Sequence, residues 1–289
     1  MRVEEGGMEL VFLGTGTSSG IPAIGCDCAV CTSTDPCDNR LRTSAALRFT
    51  DPTGHPRVLL FDAGPDLRQQ ALRFGIGRCD AVFVTHNHVD HVWGLDELRR
   101  FNALQQEAIP LYADEHTMEN LRRVYLHIFE SHKNVNDSFV ATLIPWTLTR
   151  RDIEDSRGIN LFGLRVTPFR LLHGKLPILG FRVDAGPEMV DAPGVRAVLP
   201  LAYCTDVSGI PPETWGLLEG LQTLVLDALR HRRHPTHFTL EEAVNVAGRV
   251  DPAKTYFVHM SHDLGHRETQ ASLPERMYLA HDGLIVGAT

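Results

Sequence analysis

Short apolar runs alternate with amphipathic stretches along almost the whole chain, the pattern of strands and helices interleaved in an α/β layered protein. The apolar runs predict strands at Met8–Leu13, Ser44–Phe49, Val58–Phe61, Ala81–Val84, Leu161–Phe169, Ile178–Val183, Ala197–Leu201, Thr223–Leu226, Thr255–Val258 and Leu284–Val286. Helical spacing predicts helices at Asp66–Phe74, Gly94–Leu104, Asp114–Glu130, Pro212–Glu219 and Thr239–Val250. The last opens on a capping pair, Thr239 with Glu242, and stops just before Pro252. In Asp114–Glu130, Met118, Leu121, Val124, Tyr125 and Ile128 share one face, a stripe suited to core or to a dimer contact. With no internal repeat or low-complexity tract, one domain over residues 1–289 is expected.

Composition supports a filled core: 43% of residues are hydrophobic and 22% charged. The net charge of −8, with no block of like charges, argues against a general nucleic-acid or membrane surface. No apolar stretch approaches the ~20 residues that span a bilayer. Met1–Gly7 has no apolar core and does not read as a signal peptide, so a cytoplasmic home with reduced thiols is expected.

Candidate chemistry is concentrated in Thr85-His86-Asn87-His88-Val89-Asp90-His91, directly after the Ala81–Val84 run. On extended backbone His86 and His88 project to one side, and Asp90 and His91 are expected in the turn beyond. Imidazoles with a carboxylate suit Zn, Mn or Fe rather than Ca or Mg. This H-x-H-x-D-H motif after an apolar strand resembles the signature of the metallo-β-lactamase-fold hydrolases. The resemblance implies an αββα sandwich and a site of two divalent metals, zinc or manganese. It assigns His86, His88 and His173 to one metal, and Asp90, His91 and His259 to the other, with Asp206 bridging both. His173, Asp206 and His259 each follow an apolar run, as such ligands should.

Cys26, Cys28 and Cys31 form a second cluster, which in a chain without a secretory signal reads as metal ligands before disulfides. A closed zinc site is tetrahedral and needs a fourth ligand. His262, three residues past His259, is preferred; His266, Cys37, Cys79 and Cys204 are the alternatives.

The order of motifs narrows the resemblance: Leu13-Gly14-Thr15-Gly16-Thr17, Gly20-Ile21-Pro22, the cysteines, Phe61-Asp62-Ala63-Gly64, the histidine motif, His173-Gly174-Lys175-Leu176, Thr205-Asp206 and His259-Met260-Ser261-His262. From about Met8 onward it is similar to the PhnP-like branch of cyclic-phosphate phosphodiesterases. That resemblance implies a structural zinc on the three cysteines and His262, hydrolysis of a cyclic phosphate or small phosphodiester by hydroxide held between two metals, and frequent dimers. It also places His237 near the substrate phosphate, as general acid or phosphate contact; Asp90 and His237 are the candidate catalytic residues. Asp62 is expected to orient a ligand histidine or to cap a turn with Gly64. Lys175 reads as a phosphate contact or an ordinary surface lysine, and Gly14, Gly16 and Gly20 as turn residues. The motifs do not account for Asp35–Thr43.

Other functions remain on the same fold. A tRNA 3′-processing nuclease would need a basic RNA-binding arm, which the chain lacks. Hydrolysis of a thioester, lactone or β-lactam would use the same metals. A non-hydrolytic protein like that of pyrroloquinoline quinone biosynthesis would share the cysteines and Pro65–Gln70, but an eroded histidine motif would mark it.

Overall fold

The computed structural model describes residues 7–136 and 138–287; Met1–Gly6, part of the N-terminal stretch read above, lies outside them. Its strands are β1 Glu9–Gly14, β2 Ser44–Thr50, β3 Pro56–Phe61, β4 Ala81–Phe83, β5 Ile109–Asp114, β6 Leu143–Leu148, β7 Ile159–Leu161, β8 Leu164–His173, β9 Leu176–Ala185, β10 Leu201–Cys204, β11 Thr223–Asp227, β12 Lys254–Val258, β13 Met277–Leu279 and β14 Ile285–Gly287. They form two seven-stranded sheets, ordered β14-β1-β2-β3-β4-β5-β6 and β13-β12-β11-β10-β9-β8-β7. Strands β3 to β6 run parallel in the first sheet, and β10 to β13 in the second.

Both faces of each sheet are buried, which is why the central strands read as continuous apolar runs rather than alternating ones. Along β1, Leu10 and Phe12 face the layer between the sheets, while Val11 and Leu13 face outward. Phe61 meets Tyr203 across the inner layer, ring centroids 5.0 Å apart. Outside, Leu67, Leu98 and Met118 from helices cover the first sheet; Leu240, Ala243 and Ala247 cover the second. The result is the helix–sheet–sheet–helix sandwich expected from the sequence.

Several elements differ from expectation. Leu161–Phe169 is not one strand: the chain reverses at Phe162 and Gly163, both at positive φ (53° and 83°), as a two-residue hairpin turn requires. Ala197–Leu201 is not a strand either, because Val195–Val198 makes a helical turn and β10 starts only at Leu201, after Pro200. An apolar run alone does not separate those two states. The helix expected over Asp114–Glu130 breaks at Tyr125, whose hydroxyl donates to the Val92 carbonyl at 2.9 Å. Met118, Leu121, Tyr125 and Ile128 stay buried, but the break leaves Val124 exposed. Asp90 and His91 lie in a short helical turn, Val89–Val92. Strands β5, β6 and β13 were not expected; Pro110 and Pro145 interrupt the strand signal of the first two.

Candidate metal centres and active site

Six strands end at one rim of the sandwich, where α/β proteins present their sites. Asp62 follows β3, His86 and His88 follow β4, His173 ends β8, Asp206 follows β10, Asp227 ends β11 and His259 follows β12. Asp62, Asp206 and His259 have φ of 61°, 59° and 59°. That left-handed conformation costs an L-residue about 1–2 kcal/mol, and such strain collects at functional sites.

Among the described residues the rim holds two four-membered donor sets, beside a smaller group of Asp227, His237 and His259. The ligand atoms of His86, His88, His173 and Asp206 all lie within 4.8 Å of one another, as do those of Asp90, His91, Asp206 and His259. Asp206 belongs to both. Three histidines are oriented through Nδ1. His91 Nδ1 donates to Asp62 Oδ2 at 2.8 Å, His86 Nδ1 to Thr85 Oγ1 at 3.0 Å, and His173 Nδ1 to the Thr236 carbonyl at 2.8 Å. Thr85 Oγ1 in turn donates a hydrogen bond to Asp62 Oδ2 at 2.9 Å. Asp62 thus accepts hydrogen bonds from both His91 and Thr85.

With Nδ1 carrying the proton, Nε2 presents a lone pair. His91 Nε2 lies 3.2 Å from both an Asp90 and an Asp206 oxygen, and His259 Nε2 lies 3.2 Å from Asp206. His86 Nε2 and His91 Nε2 are buried with no hydrogen-bond partner. Lone pairs turned toward carboxylate oxygens repel unless positive charge lies between them, and a divalent cation supplies it. The local electrostatics draw positive charge, a proton or a cation, to the same place. Burial works against a charged His91, yet Asp206, Asp62 and Asp90 raise its pKa well above the usual range. Burial likewise opposes ionised Asp206, yet His259 and His91 hold it well below the usual carboxylate range. Burial, aided by His91, pushes His86 well down. These residues therefore fit divalent cations.

Asp227 was missed from sequence. Its carboxylate is fully buried, with both oxygens 3.3 Å from His237 Nδ1 and one 3.4 Å from His259 Nδ1. The His237 and His259 rings stack at 4.8 Å, and His237 lies 4.6 Å from His173. Burial pushes Asp227 well above the usual carboxylate range; burial, then the charge on His259, holds His237 at about 4. The signal was present: Leu224-Val225-Leu226-Asp227 is another apolar run ending in a carboxylate.

The cysteine cluster closes around His262. Its Nδ1 lies 3.1, 3.4 and 3.5 Å from the Sγ atoms of Cys26, Cys28 and Cys31. Sulfur and imidazole in that number match a closed zinc site. The Cys31 N–H lowers the Cys28 thiol to about 7, whereas burial raises Cys31 to about 11. Of the alternative fourth ligands, Cys79 and Cys204 sit in separate apolar clusters, and neither Cys37 nor His266 joins the set. The Asp35–Thr43 stretch supplies Arg40, whose side chain is fully buried. Its guanidinium donates to the Ser261 and Leu264 carbonyls at 3.0 and 2.6 Å, pinning the segment that carries His262. Gly14 is required by packing, since a Cβ there would lie 2.0 Å from the Arg42 carbonyl oxygen.

Residues 57–260 match a family model described as a beta-lactamase superfamily domain. A Porphyromonas gingivalis protein named octanoyltransferase is 33% identical over 281 residues, covering 96% of this chain. The chain spans about half the length of that relative (51%). Among solved structures, a diphosphatase from the PhnP family is 39% identical, with a TM-score of 0.81 over 97% of both chains. Zn2+-bound PqqB from Methylobacterium extorquens shares the fold, at 20% identity and a TM-score of 0.70 over 96% of this chain and 99% of that one.

Proposed function

The chain belongs to the beta-lactamase superfamily, and from that premise we propose that this metallo-β-lactamase-fold hydrolase is a phosphodiesterase acting on a cyclic phosphate or small phosphodiester. One observation carries the reading: two donor sets share Asp206, and the Nε2 atoms of His91 and His259 both lie 3.2 Å from its carboxylate. Zinc or manganese ions bound there would lower the pKa of water and polarise a phosphoryl oxygen.

In hydrolysis the water oxygen bonds to phosphorus, the ester P–O bond breaks, and the departing alkoxide takes a proton. His237 is the donor in this reading. Its Nδ1 faces Asp227, which leaves Nε2 for the leaving group. At about 4 its pKa makes it neutral at pH 7, and an anionic substrate beside it would favour its charged form. Asp90 has a second part here as a carboxylate that reaches both histidines, 3.2 Å from His91 Nε2 and 3.5 Å from His259 Nε2. Diphosphate hydrolysis is a second reading, supported by the 39% identity to the PhnP-family diphosphatase along nearly the full chain.

The test is turnover by metal-reconstituted protein of bis-p-nitrophenyl phosphate, 2′,3′-cyclic nucleotides, an organic diphosphate, a thioester and nitrocefin. Phosphate esters should be cleaved and the last two spared. Asp206→Ala should lose at least one metal and nearly all turnover, since both donor sets lose a member. Full activity with two metals bound would sink the assignment.

A further inference from the structure

The helices Leu67–Phe74 and Leu98–Gln105 lie on the outer face of the first sheet. One lies between β3 and β4 in the chain and the other between β4 and β5, and these strands are parallel. Both helices therefore return against the strands and run side by side in the same direction. Leu67 and Leu98 turn inward and are fully buried. Off that buried face each helix carries an arginine and a leucine four residues apart, Arg68 with Leu72 and Arg100 with Leu104. Residues at that spacing are neighbours on a helix surface. Leu72 and Leu104 are 68% and 54% exposed, so both helices leave apolar surface in water on the same layer.

All four side chains line one groove of about 650 Å³, within the ~300–1,000 Å³ range of small-molecule sites. Its floor is apolar and buried: Leu67, Ile76 and Phe101. Arg99 and Glu97 also line it, and Glu97 is the one acid among the lining residues. Arg99 is paired with Asp96 at 3.2 Å, and Asp66, beside the first helix, is held by Arg42 at 3.0 Å. Arg68 and Arg100 have no carboxylate within 4.0 Å among the described residues. Because the helices run the same way, both arginines precede their leucines by about one turn, roughly 6 Å along the axis. The groove thus has a cationic end and an apolar end in an otherwise acidic chain. None of the candidate metal donors lines it.

We propose that this groove binds a single-chain amphiphile with an anionic head, a free aliphatic carboxylate. The head sits at Arg68 and Arg100, and the tail runs along Leu67, Ile76 and Phe101 toward Leu72 and Leu104. Arginine grips a carboxylate through paired N–H donors. Each methylene taken out of water adds about fourfold in affinity. Head and tail are both needed, because the free cations and the exposed leucines are displaced from each other along the same two helices. The inference stands apart from the phosphodiesterase reading, since it uses no residue of the active-site rim.

The experiment is calorimetric titration of the full chain with decanoate, hexanoate and decyltrimethylammonium, each below its micellar concentration. Decanoate should bind at least about tenfold more tightly than hexanoate, which is four methylenes shorter, and the cation should not bind. Arg68→Gln/Arg100→Gln should weaken decanoate about tenfold. Leu72→Gln/Leu104→Gln should instead shrink the preference for the longer chain. All four side chains are exposed, so both variants should keep the native circular dichroism and Tm. Failure of decanoate to bind the native protein overturns the proposal, as does equal binding of the decyl cation. Decanoate binding that both variants retain places the ligand elsewhere and overturns it too. Sedimentation reads the rival occupant: a native dimer that the leucine variant dissolves would fill the groove with a second copy of the chain, and the proposal falls.

Discussion

Asp62→Asn should uncouple metal affinity from folding. The native carboxylate is fully buried and accepts three protons: Thr85 N–H at 2.8 Å, Thr85 Oγ1–H at 2.9 Å and His91 Nδ1–H at 2.8 Å. Asparagine has nearly the same volume and tolerates the φ of 61° at this position. Its amide oxygen can keep the Thr85 N–H, but its NH2 then faces His91 Nδ1. That nitrogen must become an acceptor, so the proton moves to Nε2, the atom whose lone pair faces Asp90 and Asp206. The fault reaches the other donor set more weakly, because the Thr85 hydroxyl, which also holds His86 Nδ1, keeps only its longer 3.1 Å contact to the remaining oxygen. Loss of such a supporting hydrogen bond typically costs about 10–100-fold in metal affinity, or about 1.4–2.7 kcal/mol. Asp62→Ala is the contrast. It leaves the buried donors unpaired at about 1–3 kcal/mol each and adds left-handed strain, so it should unfold at markedly lower temperature. The assay is metal content and turnover against buffered free metal, with circular dichroism to follow the fold. The asparagine variant should need about 10–100-fold more free metal and then recover much of its activity. Native metal affinity in that variant would refute the tautomer argument. Unfolding as severe as that of the alanine variant would make Asp62 a structural residue only.

Three further outcomes are expected. Cys28→Ser should lose one zinc equivalent and melt at lower temperature while retaining the metals around Asp206; unchanged zinc content and Tm would mean that the cysteines hold no metal. His237→Ala should slow hydrolysis of esters with alkoxide leaving groups by about 10²–10⁴-fold and p-nitrophenyl esters much less, with metal content unchanged; equal losses would point to phosphate binding instead. Asp282, buried beside Thr15 and Leu41, has its pKa raised by burial to about 6, so the fold binds its proton more tightly than the unfolded chain does. Its contribution is therefore fully present below pH ~4 and lost as pH rises through about 6, a swing of about 2–3 kcal/mol. Asp282→Asn, which does not titrate, should flatten that slope in denaturant titrations between pH 4 and 7; an unchanged slope would exclude Asp282 as its source.

What could be read from sequence follows from how far apart the interacting groups lie. The donors of the two candidate metal sets each follow an apolar run, so strand ends could be recognised locally, and the rim they share follows once the strands are parallel. Asp227 escaped because the predicted strand stopped one residue early, at Leu226; its importance lies in contacts with His237 and His259, ten and thirty-two positions on. The hairpin at Phe162-Gly163 was hidden because phenylalanine at positive φ is rare, so only the glycine hinted at a turn. Asp35–Thr43 was opaque for a stronger reason. Charge in a loop normally signals solvent, but Arg40 spends its charge on carbonyls 221 and 224 residues away. Those carbonyls flank His262, whose segment begins at His259. Arg40 therefore joins the cysteine cluster to the candidate catalytic rim through four residues of backbone, and the loop most foreign to the motifs holds the two centres in register.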